Sequence, residues 1–176
     1  RDLRGCCRGM RARHGLARDE GGRLAASGRP DESVISRFLS HPHFARPLPK
    51  SLDRDAFPDL LAGVVGLPDA DAAATLTHAA AAAVAAGVAL LPQAPELVLV
   101  CGGGRDNVAM MAALSARLSV RVAPGEEAGL DGDMLEAQAF GWLAVRVLRG
   151  LPTSGPGTTG APAPVCGGRI SHPRRR

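Results

Sequence analysis

The chain has no tyrosine, one tryptophan and four phenylalanines in 176 residues. Large aromatic side chains therefore cannot fill its interior. Alanine and glycine must do so, which predicts a small-residue, tightly packed core. Cysteine is scarce too. Cys6 and Cys7 are adjacent, Cys101 ends an apolar run and Cys166 lies in a glycine-rich tail, and no CxxC pair occurs. The five histidines have no zinc-finger spacing with them, so neither a disulfide framework nor a structural zinc site is expected. Reduced thiols in a cytoplasmic setting fit this pattern. Glycine shows no three-residue period and no heptad is sustained, which excludes collagen and coiled coil. The apolar fraction of 45% and the net charge of +4 exclude a wholly disordered chain. What remains is one ordinary domain, long enough to bury roughly two-thirds of its unfolded surface.

Lysine is almost absent, since Lys50 is the sole one among 21 basic residues. Arg1, Arg4, Arg8, Arg11 and Arg13 against Asp2 give the first thirteen residues +4, and Arg174, Arg175 and Arg176 add +3. Removing those seven charges from the total of +4 leaves residues 14–173 at −3. A nucleic-acid binder concentrates positive charge on a folded face, so no nucleic-acid partner is expected. Residues 1–13 read as a basic lead-in, 14–169 as the α/β domain and 170–176 as a basic tail. No apolar segment follows the opening arginines, so no signal peptide is expected there. Ala72–Leu91 runs without a formal charge. Its alanines supply little transfer energy, so it reads as a packed helix and no membrane partner is expected.

Ala25–Pro30 reads as a small-residue turn. Asp31 precedes a helix whose apolar stripe is Val34, Ile35, Phe38 and Leu39. The prolines of His41–Pro49 end it, and Ser51–Asp59 is a loop with Phe57 as anchor. Ala72–Leu91 is a long helix, closed by Pro92–Pro95. Leu97–Cys101 reads as a buried strand, Gly102–Gly104 as a turn, and Asn107 or Asp106 as the cap of a helix over Val108–Leu118. Val120–Ala123 is the next strand, and Asp133 starts a helix running to about Arg149. Such alternation predicts an α/β layer with at least two parallel strands.

Three constellations could carry chemistry. In Val100-Cys-Gly-Gly-Gly-Arg-Asp-Asn107, three glycines follow a strand and open a helix, whose free amides and positive dipole end suit an anion. The alternative is a tight turn with ordinary capping, because neither a Walker A nor a GxGxxG pattern is present. In Asp131-Gly-Asp-Met-Leu-Glu136, Asp133 and Glu136 fit a capping box. Asp131 is left over, available with Glu136 for sugar hydroxyls or for waters around magnesium. In Pro49–Asp55, Lys50 and Arg54 could neutralise phosphate or a carboxylate, and Ser51 could donate a hydrogen bond; a solvated loop is the plainer explanation. His78, Met110 and Met111 read as helix packing. No Ser-His-Asp or Cys-His arrangement can be assembled, so no catalytic residue and no metal ligand is assigned.

These segments together resemble the C-terminal half of the anhydro-N-acetylmuramic acid kinase family. The series runs through Ala26-Ser-Gly28, Pro49-Lys-Ser51 with Arg54 and Phe57, and Ala74-Thr-Leu-Thr77. It continues with Val100–Asn107, Asp131-Gly-Asp133 with Glu136–Phe140, Thr158-Thr-Gly160 and Gly167-Gly-Arg169. Each is weak alone; their order is specific. The resemblance implies a portion of the sugar kinase/actin/Hsp70 (ribonuclease H-like ATPase) fold. It also implies that water cleaves the anhydro bond of 1,6-anhydro-N-acetylmuramic acid while ATP, with Mg2+, phosphorylates the 6-oxygen, giving N-acetylmuramate 6-phosphate and ADP in peptidoglycan recycling. Gly102, Gly103, Gly104 and Asn107 would then bind nucleotide, and Asp131, Glu136 and Lys50 the sugar. The family's amino-terminal domain, with its Asp-Thr-Gly-Pro-Gly-Asn motif and presumed general base, has no counterpart here. The usual Thr-Gly-Arg-Glu is replaced by Leu52-Asp-Arg-Asp55. An inactive half needing its partner domain or self-associating, a non-catalytic nucleotide- or sugar-binding module, and a structural remnant all follow as expectations.

Overall fold

The computed structural model describes residues 19–50 and 56–172. The described residues begin with a turn at Glu20–Gly22 and a short helix α1, Arg23–Ser27. Ala25–Ser27 is thus helical and not the expected turn. The cause is Asp19, whose carboxylate accepts the amides of Leu24 and Ala25, both at 2.9 Å, and so starts a helix across Gly21 and Gly22. Helix α2 spans Glu32–Leu39, with Asp31 accepting the Ser33 and Val34 amides as its cap. Helix α3 covers Pro58–Gly63 and α4 covers Asp69–Val88.

Helix α4 is the scaffold. By length and composition it could cross a membrane, while α1, α2 and the next helix pack against it. Thr75, Ala79 and Ala81 are fully enclosed, since methyl-sized side chains let neighbouring backbones come close. On one side Val34, Val64, Ala72 and Leu76 form a cluster; on another, Ile35, Phe38, Ala79 and Ala82 do. The four phenylalanines supply little else, but three of them meet edge-on or stacked: Phe38 lies 4.9 Å from Phe44 and 5.0 Å from Phe57. Phe57 is the anchor that its place in the chain suggests.

The α/β part follows. Strand β1, Leu97–Val100, leads through the Gly102–Gly104 turn into helix α5, Val108–Arg117, and strand β2, Arg121–Pro124. The strands pair in parallel, Leu97 opposite Arg121 and Val100 opposite Pro124. Ala81 of α4 joins Ala113, Leu114 and Leu118 against Val98, Val100 and Val122. On the opposite face Ala123, paired with Leu99, is 1% exposed, so that face is covered in part. Leu97 is 36% exposed, so β1 is half-buried and not the fully buried strand its composition suggests. A turn at Gly125–Ala128 leads to helix α6, Leu135–Leu148, and a last turn of helix α7 covers Pro156–Thr159.

Two distant pairs of segments from the ordered series meet. A Cβ on Gly28 would fall 2.0 Å from the Ala70 carbonyl oxygen, so only glycine lets this turn sit on the start of α4. Beside it the amides of Arg29 and Asp31 donate to Asp71 Oδ1 at 2.7 Å and Thr75 Oγ1 at 2.9 Å. Farther on, a Cβ on Gly160 would stand 3.3 Å from the Pro49 carbonyl oxygen.

Candidate functional site

The glycine turn, Gly102–Gly104, lies where β1 passes into α5. Asn107 caps α5: its Oδ1 accepts the Met110 amide at 2.9 Å. The side chain expected to serve either as cap or as ligand contact thus serves as cap. The three glycines divide into two kinds. Gly102 has φ +68°, a conformation that disfavours any side chain. Gly103 and Gly104 do not. A Cβ on Gly103 would meet nothing within 4 Å, and one on Gly104 only Val100 Cγ1 at 3.7 Å. Neither chain conformation nor packing requires glycine at these two positions.

The Asp131–Glu136 segment lies directly against this turn, with the Gly102 amide donating to the Gly132 carbonyl at 2.8 Å. Asp131 organises the start of α6. Its Oδ1 accepts the amides of Asp133 and Met134, each at 3.1 Å, and its carbonyl accepts those of Met134 and Leu135. Asp133 does not cap the helix as spacing suggests, because Arg105 takes its carboxylate at 2.9 Å. The pairing holds the Asp133 carboxyl below its ordinary range, through the Arg105 hydrogen bond first and its charge second. Glu136 stands exposed on the first turn of α6, with no hydrogen-bond or ion-pair partner among the described residues.

Lys50 is elsewhere. Its ammonium donates to the carbonyls of His43 at 2.8 Å and Phe44 at 3.1 Å, closing the turn after α2. Among the described residues no hydrogen bond joins it to the glycine turn or to Asp131–Glu136. Ser51, Arg54 and Asp55 lie outside the described residues. A separate cavity of about 240 Å³ lies beside the α2 end, lined by Arg37, His41, Phe57 and Asp59 among others. His78 meets Arg117 at 3.5 Å, and Arg117 in turn pairs with Glu32 at 2.6 Å. Burial first, and the Arg117 charge second, lower the His78 pKa.

Sequence reasoning placed the glycine turn and the acidic segment but gave no role to Arg105 and Glu126. Their signal was faint: an arginine directly after three glycines, and a Glu126-Glu127 pair after Pro124-Gly125. Nothing in spacing alone says that these residues meet.

Known proteins bear on the same segments. The family model described as anhydro-N-acetylmuramic acid kinase matches residues 8–173. A protein of that name from Cereibacter sphaeroides is 64% identical over 164 residues, 93% of this chain and 44% of that protein. Those from Roseobacter denitrificans and Caulobacter vibrioides are 57% and 52% identical, over 93% and 89% of this chain. The chain therefore spans less than half the length of these relatives. With the match running through the helical part, the glycine turn, the acidic segment and the tail alike, the chain belongs to the anhydro-N-acetylmuramic acid kinase family.

Proposed function

We propose that this chain is the C-terminal half of a kinase of the sugar kinase/actin/Hsp70 fold that phosphorylates 1,6-anhydro-N-acetylmuramic acid with ATP in cytoplasmic peptidoglycan recycling. Residues 14–169 are assigned to its α/β domain, flanked by the basic segments 1–13 and 170–176. The observation that carries the proposal is the open side of Gly103 and Gly104. Glycines that the fold itself does not need, set at a helix start with free amides, suit the close approach of a nucleotide. Asn107, while capping α5, fixes that helix start beside them.

Asp131 and Glu136 form the sugar side. Glu136 has a free carboxylate, suited to accept hydrogen bonds from sugar hydroxyls, and Asp131 sets the turn that presents it. Lys50, committed to two carbonyls of its own loop, is assigned to the sugar on the family resemblance alone. ATP would supply the phosphoryl group, and Mg2+ would neutralise its phosphates. Magnesium is assigned to the nucleotide phosphates, its usual place in a kinase site. The protein's part in the transfer is positioning and electrostatic stabilisation.

The rest of the relatives' length is assigned to the other wall of the cleft. Helix α6 suits such contact: it buries none of its residues, and Phe140, Trp142 and Leu148 are 63%, 59% and 67% exposed. A free face of this kind is characteristic of an interaction surface. On its own the 176-residue chain is then a half-site that binds without turnover.

Thermal-shift and calorimetric titration with Mg-ATP, with and without the anhydro sugar, test this. The expected result is saturable stabilisation that Gly103→Val abolishes while the ligand-free melting temperature stays within a few degrees. Absence of any shift in a folded sample would leave a structural remnant of a kinase.

A further inference from the structure

Arg105 is the hub of a closed ring of contacts between the glycine turn and the acidic segment. Its Nη1 donates to the Gly102 carbonyl at 2.9 Å and to Asp133 Oδ1 at 2.9 Å, and its Nε donates to Glu126 Oε1 at 2.8 Å. Glu126 Oε1 also accepts the Gly132 amide at 3.2 Å, and the Gly132 carbonyl accepts the Gly102 amide at 2.8 Å. Gly132 is buried between them, and a side chain there would have to displace the ring's own members. A Cβ there would lie 2.6 Å from Arg105 Nε and 2.7 Å from Glu126 Oε1.

Isolated surface ion pairs contribute little, but this is not an isolated pair. The Arg105 side chain is only 11% exposed, and one planar guanidinium serves three acceptors from three turns. A lysine ammonium lacks that fork and could not hold all three in the same geometry. Asp106, 3.6 Å away and mostly exposed, adds negative charge to the same cation.

We propose that Arg105 is a positioning residue that fastens the glycine turn to the Asp131–Glu136 turn, so that the nucleotide and sugar sides of the site move as one body. The assignment of those two sides rests on the function proposed above; the mechanical coupling does not. Its consequence for binding is positive cooperativity. A ligand that orders one turn lowers the ordering cost of the other.

Amide hydrogen exchange on the ligand-free chain tests the coupling. Asp133→Asn alters only the acidic turn, yet it is expected to speed exchange at Gly102 as well as at Gly132, each by about tenfold. Arg105→Ala should do the same more strongly, Arg105→Lys should restore it only in part, and amides of α4 should stay at wild-type rates. If Arg105→Ala does not fold, Asp133→Asn and Glu126→Gln still decide. Acceleration confined to the mutated turn would overturn the proposal. A second reading comes from calorimetry: the ratio of Mg-ATP affinities with and without sugar should fall towards one in Asp133→Asn. If no ligand binds the wild-type chain, the functional assignment fails while the exchange result still judges Arg105. If Mg-ATP binds but exchange shows no cross-turn effect, Arg105 alone loses its role.

Discussion

Gly22 lies against the side chain of Asn107: a Cβ on Gly22 would fall 2.0 Å from Asn107 Oδ1, and the glycine holds φ at +75°. The start of the described chain is thereby locked onto the residue that caps α5, directly after the glycine turn. Both its conformation and its neighbour exclude a side chain. Gly22→Ala should cost about 2 kcal/mol or more of stability, measured by urea unfolding. A cost near zero would show that the N-terminal turn moves away freely.

Asn107 separates capping from ligand binding. Asn107→Ala should cost about 1 kcal/mol through the lost cap. Asn107→Asp keeps an acceptor for the Met110 amide and should hold most of that stability, while its negative charge beside the glycine turn weakens Mg-ATP binding. Calorimetry and denaturant titration on the same two variants check both halves.

The Arg105 network predicts an acid-sensitive junction. Asp133 is held low by Arg105, and Glu126 is held low by its own and the Gly132 backbone amides as well as by Arg105. Groups depressed in the folded state bind fewer protons there than in the unfolded chain. Their stabilisation is therefore complete above the ordinary carboxylate range and lost as pH falls below about 4. Exchange at Gly102 and Gly132 should rise between pH 5 and pH 3 (after correction for intrinsic rates), and Asp133→Asn should flatten that rise.

Histidine gives a second window. The His78 pKa is lowered mainly by burial, so the unfolded chain takes up its proton first on acidification. Stability should fall as pH drops from about 7 through 6, below the ordinary histidine value near 6.5. His78→Gln should show a smaller decline over that interval in thermal melts; an unchanged slope would place the effect elsewhere.

Phe38 is 8% exposed and touches both Phe44 and Phe57 edge-on. In a cluster shared with Ile35, Ala79 and Ala82, Phe38→Ala should cost about 3–5 kcal/mol. Phe38→Leu should recover much of it, as read from urea midpoints.

Local signals were legible where local physics decides. The stripe of Val34, Ile35 and Phe38 and the Asn107 cap stand where pattern and capping rules place them, while the long helix lies at Asp69–Val88 against the expected Ala72–Leu91 and the strands end at Val100 and Pro124 against Cys101 and Ala123. Contacts between distant turns were not. Helix α1 begins because Asp19 reaches over two glycines, which no hydrophobic period records. Asp133 gives up its expected capping role because Arg105, 28 residues earlier, takes its carboxylate, and Asp131 organises the turn instead. Strand β1 reads as fully enclosed because composition cannot say that its first residue, Leu97, stays partly open. For the glycine turn, sequence offered two explanations; Asn107 caps α5, and nucleotide binding at Gly103 and Gly104 is the proposal that the titrations above test.

The exposure of Trp142 on α6 has a spectroscopic consequence. With no tyrosine in the chain, this indole, stacked under the Arg146 guanidinium at 4.6 Å, is the dominant chromophore near 280 nm and the dominant emitter. Fluorescence will therefore follow the solvation of a single helix turn, while melting of the alanine-rich interior passes almost unseen. Circular dichroism will follow that interior. A gap between the two melting curves would measure how independently α6 frays, and a blue shift on mixing would time its burial by whatever comes to lie on it.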